Sequence, residues 1–202
     1  MAGVLVGLVA AASGIAHAES RFVWIANDGS EIRDGTAQAR DSACTVDRRT
    51  ALMWEIKTRD GGLRDARHTY TPYDGNAAAV GAHPGYRDSH SGACSRPSMP
   101  GGSCNTEAYV QAVNAARLCG HADWRLPTVA ELVGTADAHV QQERTGDSVF
   151  GATAPGWYWT ALDTASPAGY SRVVLLPPGA RARFYDGSYL VRLVRDIEQP
   201  KR

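Results

Sequence analysis

The chain has 202 residues, of which 44% are hydrophobic and 21% are charged, enough apolar material for the core of one globular domain. Lysine plus arginine and aspartate plus glutamate each total 21, so the formal net charge at neutral pH is zero. A zero net charge gives no overall attraction to nucleic acid or to anionic membranes, and nucleic acid is not an expected partner.

The N-terminus has the features of a secretory signal peptide. Val4 to Ala12 form an apolar run, and Ala16-His17-Ala18 is a small-residue cleavage pattern before Glu19. A retained membrane anchor is the less favoured alternative, because a membrane-spanning helix needs about 20 apolar residues. We therefore expect cleavage of residues 1–18 and export of residues 19–202 as a single domain, periplasmic or extracellular, with no membrane span.

Four cysteines, an even number, predict disulfide bonds in an exported chain. Of the three pairings that can form, we favour Cys44 with Cys119 and Cys94 with Cys104. The chain-entropy argument assigns about 4–5 kcal/mol to the first, longer loop and about 3 kcal/mol to the second. Zinc bound with the help of His121 is the alternative, but the sequence has no Cys-x-x-Cys pair and the compartment is oxidising.

Short strands are predicted in the first part of the chain. Arg21 to Ile25, the turn signal Asn27-Asp28-Gly29, and Ser30 to Ile32 together predict a hairpin. The stretch from Thr50 to Ile56 alternates with a period of two. Its Trp54 is expected in the core, as tryptophan in such a strand usually is.

From Lys57 to Gly102 the pattern is broken by turn signals, which is typical of either a functional loop or a disordered insert. Aromatic and basic residues give this segment the composition of a binding surface, although a solvated loop without a ligand is an equal alternative. They are Tyr70, Tyr73, Tyr86, Arg64, Arg67, His68 and Arg87. The aspartates Asp60, Asp65, Asp74 and Asp88 lack the order of an EF-hand loop, so calcium is a minor alternative.

A first helix is predicted to begin at Asn105 or Thr106, either of which can cap it, and to run to Cys119 with apolar residues near helical spacing. Within it, Asn114 either faces outwards or is buried and hydrogen-bonded. Gly120 can adopt the left-handed conformation that ends a helix.

A second helix follows the stretch Trp124-Arg125-Leu126-Pro127. Thr128 and Glu131 have the spacing of a capping box, and Pro127 fixes the entry. We expect this helix to end near Thr135.

The C-terminal part predicts four strands, at Trp157–Ala161, Ser171–Leu176, Arg181–Tyr185 and Leu190–Arg195. In the irregular stretch before them, Phe150 is the main apolar anchor. Two short helices, an antiparallel sheet and long irregular loops make an α+β fold.

Several blocks of the sequence, in one order from about Phe22 to Arg195, resemble the Lcl C-terminal domain family. They are Trp54-Glu55-Ile56-Lys57-Thr58, Asp60-Gly61-Gly62-Leu63, Cys104-Asn105-Thr106, Asn114-Ala115-Ala116, Cys119-Gly120, Asp123 to Thr128, Tyr158-Trp159-Thr160 and Val191 to Arg195. The family takes its name from the C-terminal domain of a bacterial collagen-like adhesin that binds sulfated glycosaminoglycans at the cell surface. No Gly-X-Y collagen stalk occurs here, so trimerisation through a stalk does not carry over.

The resemblance has implications for the fold. Arg125-Leu126-Pro127-Thr128 with Glu131, and the terminal block, are also similar to formylglycine-generating-enzyme-like domains, which implies a C-type-lectin-like fold with a twisted antiparallel sheet. The residues expected to be structural in it are Trp54, Trp124, Arg125, Pro127, Thr128, Glu131, Trp159, Arg192 and Arg195.

No catalytic residues are predicted. Formylglycine-generating oxidases of the related fold hold copper with a cysteine pair towards the C-terminus, whereas the last cysteine here is Cys119. No nucleophile elbow and no spaced histidine pair occurs in the sequence. Lone loop histidines are usually solvated, which is the expectation for His68, His83, His90, His121 and His139. We expect neither a metal nor a cofactor.

Binding is the function that the sequence favours. Five arginines lie between Arg172 and Arg195, and arginine forks pair with sulfate or carboxylate. We expect Arg192 and Arg195 to form structural pairs, with Glu131 as one candidate partner. The ligand candidates are then Arg172, Arg181, Arg183, Tyr185 and Tyr189. The predicted function is an exported, non-catalytic module for cell-surface or anionic glycans; the alternative is an envelope protein-interaction module, such as a pilus or secretion accessory.

Overall fold

The computed structural model describes residues 20–33, 41–77, 85, 103–135, 149–150, 153–161, 172–176, 181–183 and 187–197. In chain order the elements are β1 (Phe22–Ala26), β2 (Glu31–Ile32), β3 (Ser42–Asp47), β4 (Leu52–Glu55), β5 (Thr69–Tyr70), α1 (Thr106–Ala115), α2 (Val129–Gly134), β6 (Gly156–Trp159), β7 (Arg172–Leu176), β8 (Arg181–Arg183), β9 (Tyr189–Leu190) and β10 (Val194–Asp196). The predicted α+β fold is confirmed.

The strands form two sheets. The first has the order β10-β4-β3-β1-β2 and is antiparallel throughout. The second has the order β5-β9-β6-β7-β8, in which β6 and β9 run parallel. The prediction of a single antiparallel sheet is therefore corrected to two sheets with one parallel pair.

The observed strands differ from the predicted ones mainly where the chain passes from one sheet to the other. The predicted hairpin is present as β1 and β2, whereas β3 was not predicted. The predicted strand Leu190–Arg195 is split, because β9 belongs to the second sheet and β10 to the first. All four residues of β4 are buried, since β4 lies between β3 and β10 and is covered on both faces.

Residues of both sheets pack into two apolar clusters. One contains Met53 of β4, Tyr109 and Val113 of α1, and Trp159. The other contains Trp54 of β4 together with residues from α2, β6 and β7, and Phe150 packs edge-on against the Trp54 ring. Trp54 is 1% exposed, so its predicted place in the core is confirmed.

Helix α1 begins where it was predicted to begin and ends earlier. The Asn105 side chain accepts from the amide of Ala108 as the N-cap. The helix ends at Ala115 instead of Cys119, because Arg117 and Cys119 both have the left-handed backbone conformation, which an α-helix cannot continue through.

The predicted bond between Cys44 and Cys119 is confirmed, and it ties the turn after α1 to β3. Cys104 is also disulfide-bonded. Its predicted partner Cys94 lies outside the described residues, as do the predicted signal peptide and Tyr185. None of the helices in the described ranges is long and apolar enough to cross a membrane.

Candidate functional site

Glu55, Lys57 and Tyr109 form a buried cluster in which each side chain is hydrogen-bonded to the other two. The Lys57 ammonium donates to Glu55 Oε1 at 3.2 Å and to the Tyr109 hydroxyl at 2.7 Å, and that hydroxyl donates to Glu55. The other Glu55 oxygen accepts from the amide of Leu193 at 3.0 Å. Because Glu55 and Lys57 are 0% and 3% exposed, no ligand reaches this cluster.

Burial dominates the protonation of the cluster. Loss of hydration lowers the pKa of Lys57 to about 8, against the opposing effect of the Glu55 carboxylate. The same loss of hydration raises the pKa of Tyr109 well above its usual value. The arrangement is that of a structural polar network, with every charged group hydrogen-bonded.

The two terminal arginines also have structural partners. Arg192 is buried and donates to the carbonyl of Phe150 at 3.0 Å and to Thr153 Oγ1 at 2.8 Å. Arg195 donates to both carboxylate oxygens of Asp123, at 2.7 and 3.0 Å. Neither pairs with Glu131, so that part of the prediction was wrong.

The arginines predicted to bind a ligand lie on β8, the edge strand of the second sheet, and on its neighbour β7, which together form the arginine edge. Arg172 is the cross-strand neighbour of Arg183, and Arg181 is the neighbour of Val174. Tyr189 lies on β9, separated from β8 by β6 and β7, and its ring packs edge-on against Trp159 at 5.0 Å. The fold therefore brings the three arginines together and keeps Tyr189 apart from them.

The loop after β4 is more ordered and more buried than its composition indicated. Tyr70 is 0% exposed, and Arg64 donates to the backbone carbonyls of Ala43 and Ile56. His68 is 8% exposed, so the expectation that it is solvated was wrong. Asp65 accepts from Arg67, whose side chain holds the pKa of that carboxyl well below its usual range. These contacts hold the loop together, and the Arg67 side chain itself is 70% exposed.

An open cavity of about 580 Å³ lies between this loop and the stretch Arg125–Thr128. Its walls come from four segments that are distant in the sequence. The lining residues are Pro72, Tyr73, Asp74, Asn76, Thr106, Glu107, Val110, Gln111, Arg125, Leu126, Thr128, Trp159, Thr160 and Ala161.

One wall is fixed to the start of α1. The Thr106 hydroxyl accepts from the amide of Tyr73 at 3.0 Å and donates to the carbonyl of the same residue at 2.8 Å. Asp74 then begins a turn by accepting from the amide of Asn76 at 2.9 Å. A Cβ atom added to Gly75 would lie 3.3 Å from both Glu107 carboxylate oxygens, so Glu107 lies directly against this turn.

The opposite wall is fixed by Arg125. Its guanidinium donates to both oxygens of Glu131, at 2.9 and 2.8 Å, and to Asp196 at 3.1 Å. Burial alone would raise the pKa of Glu131, but the hydrogen bonds from Arg125 lower it below its usual value. The predicted capping box of Thr128 and Glu131 is present, so one carboxylate both starts α2 and holds Arg125.

A side chain of α1 connects the two walls. Asn114 Nδ2 donates to the carbonyl of Trp124 at 3.0 Å, and its Oδ1 accepts from the Trp124 amide at 2.8 Å. Of the two alternatives for Asn114, the hydrogen-bonded one is observed, with the side chain half-buried. The stretch is also paired to β10 through the backbone of Arg125 and Val194.

Most of the cavity residues were missed as site residues by sequence reasoning. Glu107, Val110 and Gln111 share one face of α1 by helical spacing, a signal that the sequence contains. In the turn Asp74-Gly75-Asn76, only Asp74 was named from the sequence, as one aspartate of the minor calcium alternative. Nothing in the sequence indicated that this turn and this helix face would meet.

The described residues contain no group of three or more histidine, cysteine, aspartate or glutamate side chains placed to hold a metal ion. Asp74 and Glu107 are the carboxylates among the described cavity residues, one fewer than such a group requires. The arrangement suits hydrogen bonding and charge pairing with an organic ligand.

The family model of the Lcl C-terminal domain matches residues 43–195, which include every residue that lines the cavity. The match covers most of the chain, and the chain belongs to this family. Comparison with curated proteins and with solved structures finds no match.

Proposed function

We propose that this member of the Lcl C-terminal domain family is an exported, non-catalytic binding module that takes a carbohydrate into the cavity described above. The observation that carries the proposal is the lining of the cavity, which combines hydrogen-bonding side chains with apolar and aromatic surface. Its volume of about 580 Å³ is within the usual range of ligand sites.

The lining matches the chemistry of a sugar. Hydroxyl groups of a sugar both donate and accept, and Asp74, Asn76, Glu107 and Gln111 offer carboxylates and amides for them. The apolar face of a sugar ring packs on aromatic or aliphatic side chains, which Tyr73 and Leu126 supply. The C-type-lectin-like fold implied by the resemblance is consistent with this use.

The placement of the carboxylates supports a binding role over hydrolysis. Glycoside hydrolases place two carboxyl groups on either side of the bond that they cleave. Here Asp74 and Glu107 are on one wall, next to each other around Gly75. The Thr106 hydroxyl is occupied by the backbone of Tyr73.

Two features support export. The apolar run and cleavage pattern of residues 1–18 are typical of a signal peptide. The buried bond between Cys44 and Cys119 is of the kind that persists in oxidising compartments, periplasmic or extracellular.

A second candidate ligand is an anionic glycan at the edge of the second sheet. The register that places Arg172 opposite Arg183, with Arg181 on the same strand as Arg183, gathers three arginines on two neighbouring strands. Arginine forks bind sulfate groups bidentately. None of the described residues that line the cavity belongs to β7 or β8.

A glycan array with the mature protein tests both candidates. Gln111 lines the cavity and is exposed, so Gln111→Trp should fill the cavity at little cost in stability and abolish binding there. Ala115→Trp is the matched control, because Ala115 is also exposed on α1 and does not line the cavity.

Binding at the arginine edge should instead select sulfated glycans, weaken with salt, and be lost in the Arg181→Ala/Arg183→Ala variant. An array that is silent for the wild type contradicts both candidates. Co-purification of a stoichiometric envelope protein would then favour the alternative, an interaction module such as a pilus or secretion accessory.

A further inference from the structure

The cavity has an unequal set of charges. Among the described residues, the charged ones that line it are Asp74, Glu107 and Arg125. Arg125, the one cation of these three, already donates to the carboxylates of Glu131 and Asp196. One positive charge is thus more than balanced on its own wall, and an anionic ligand would gain little there.

The other wall carries two carboxylates, those of Asp74 and Glu107. Within the described part of the chain, no lysine or arginine lies within ion-pair distance of either. Among the same residues, the hydrogen bond that the Asp74 carboxylate accepts comes from the amide of Asn76. Both side chains line the cavity, where acceptor positions remain for a ligand.

Tyr73 adds a second attraction for a cation. It lines the cavity beside Asp74, half-buried against the start of α1. The face of an aromatic ring attracts an ammonium group, and the attraction increases when the site is partly shielded from water. A carboxylate pair with an adjacent phenol ring is complementary to a primary ammonium, which has three donors and no acceptor.

We propose that the ligand of this cavity carries a protonated primary amine, and that its class is an amino sugar with a free amine, bound through Asp74 and Glu107. This rests on the proposed carbohydrate site and names its specificity. It also separates the cavity from the arginine edge, which attracts the opposite charge.

Two sugar tetramers that differ only at nitrogen provide the test. One is the tetramer of glucosamine, with free amines, and the other is the tetramer of N-acetylglucosamine, with neutral amides. We expect the wild type to bind the free amine at least about tenfold more tightly by calorimetry, at a pH where the amine is protonated. Raising the salt concentration should reduce this preference.

Three variants locate the effect. Glu107→Gln keeps the shape of the side chain and should weaken the glucosamine tetramer about tenfold while leaving the acetylated tetramer unchanged. Glu31→Gln makes the same charge change at an exposed position on β2 and should change neither affinity. Gly75→Ala adds a Cβ only 3.3 Å from the Glu107 oxygens, so it should displace the carboxylate and weaken the same tetramer without any loss of charge.

The outcomes separate this inference from the proposed function. Equal affinity of the wild type for both tetramers, or a Glu107→Gln variant with unchanged preference, overturns the amine specificity and leaves carbohydrate binding in place. Absence of binding to both tetramers also overturns it. If the array is silent as well, the proposed function fails with it.

Discussion

Helix α1 separates two charged regions that use the same kinds of residue in opposite ways. Tyr109 points into the interior and bonds to Glu55 and Lys57, whereas Glu107, two positions earlier, lines the cavity. In the interior each charge has its partner and water is excluded. In the cavity the carboxylates of Asp74 and Glu107 have no lysine or arginine within ion-pair distance in the part of the chain that the structure describes.

The difference shows that burial decides the role of a charged residue more than its type does. A buried ion pair contributes little net stability, because the attraction mainly offsets the cost of removing both charges from water. Removing only one of the two charges is nevertheless costly, because the other charge is then buried without a partner. A carboxylate left open to a cavity contributes to recognition and can be removed with little effect on folding.

The largest effect is expected for the interior. Glu55→Gln leaves the Lys57 ammonium buried without a counter-charge, and we expect the free energy of unfolding to fall by about 3–5 kcal/mol in urea titrations. The double variant Glu55→Gln/Lys57→Met should recover much of the loss. A fall below about 1 kcal/mol for the single variant would show that the cluster is not closed to water.

The connection between the regions comes next. Asn114→Ala removes both hydrogen bonds to the Trp124 backbone, and we expect a loss of about 2 kcal/mol in the same titration. Ligand affinity should fall too, because the two walls of the cavity are no longer held together. Asn27→Ala, at an exposed turn, is the control. Unchanged stability would refute the role of Asn114 as a tie.

A pH titration of the free energy of unfolding also distinguishes the interior cluster from the cavity, with a smaller effect per pH unit. The pKa of Lys57 is about 8 in the folded chain and 10.5 when unperturbed. Between about pH 8 and pH 10 the unfolded chain therefore binds more protons, and stability should rise with pH by at most about 1.4 kcal/mol per pH unit. Lys57→Met should lack this rise. A wild-type curve parallel to that of Lys57→Met would contradict the assignment.

The smallest effect on stability is expected in the cavity. Glu107→Gln should change the free energy of unfolding by no more than about 0.5 kcal/mol, because the side chain has no ion-pair partner among the described residues. Thermal melts beside Glu55→Gln make the comparison direct. If Glu107→Gln lowered the free energy of unfolding as much as Glu55→Gln does, Glu107 would have a structural role and not a binding role.

Local signals in the sequence were sufficient for several features. The hairpin of β1 and β2 and the capping box of Thr128 and Glu131 follow from turn residues and spacing, because both depend on near neighbours. The cysteine count predicted disulfides but left three pairings open, and the bond between Cys44 and Cys119 is one of the two that we favoured.

The division into two sheets and the cavity depend on long-range contacts. Leu190–Arg195 reads as one strand, yet Leu190 lies in β9 of the second sheet and Val194 and Arg195 lie in β10 of the first. The parallel pair of β6 and β9 has no local signature. The interior cluster joins Glu55 to Tyr109, which are 54 positions apart in the sequence. The arginine pattern was visible in the sequence, whereas the cavity needed the Asp74 turn and α1 to meet in space.

The most direct test of the account is a two-dimensional NMR titration of the mature protein with the glucosamine tetramer. If the tetramer binds in the cavity, chemical-shift changes should be concentrated at residues 73–76, 107–111 and 125–128. The shifts of Lys57 and the rest of the interior cluster should not change. Changes concentrated at Arg181–Arg183, or no changes at saturating tetramer, would contradict it.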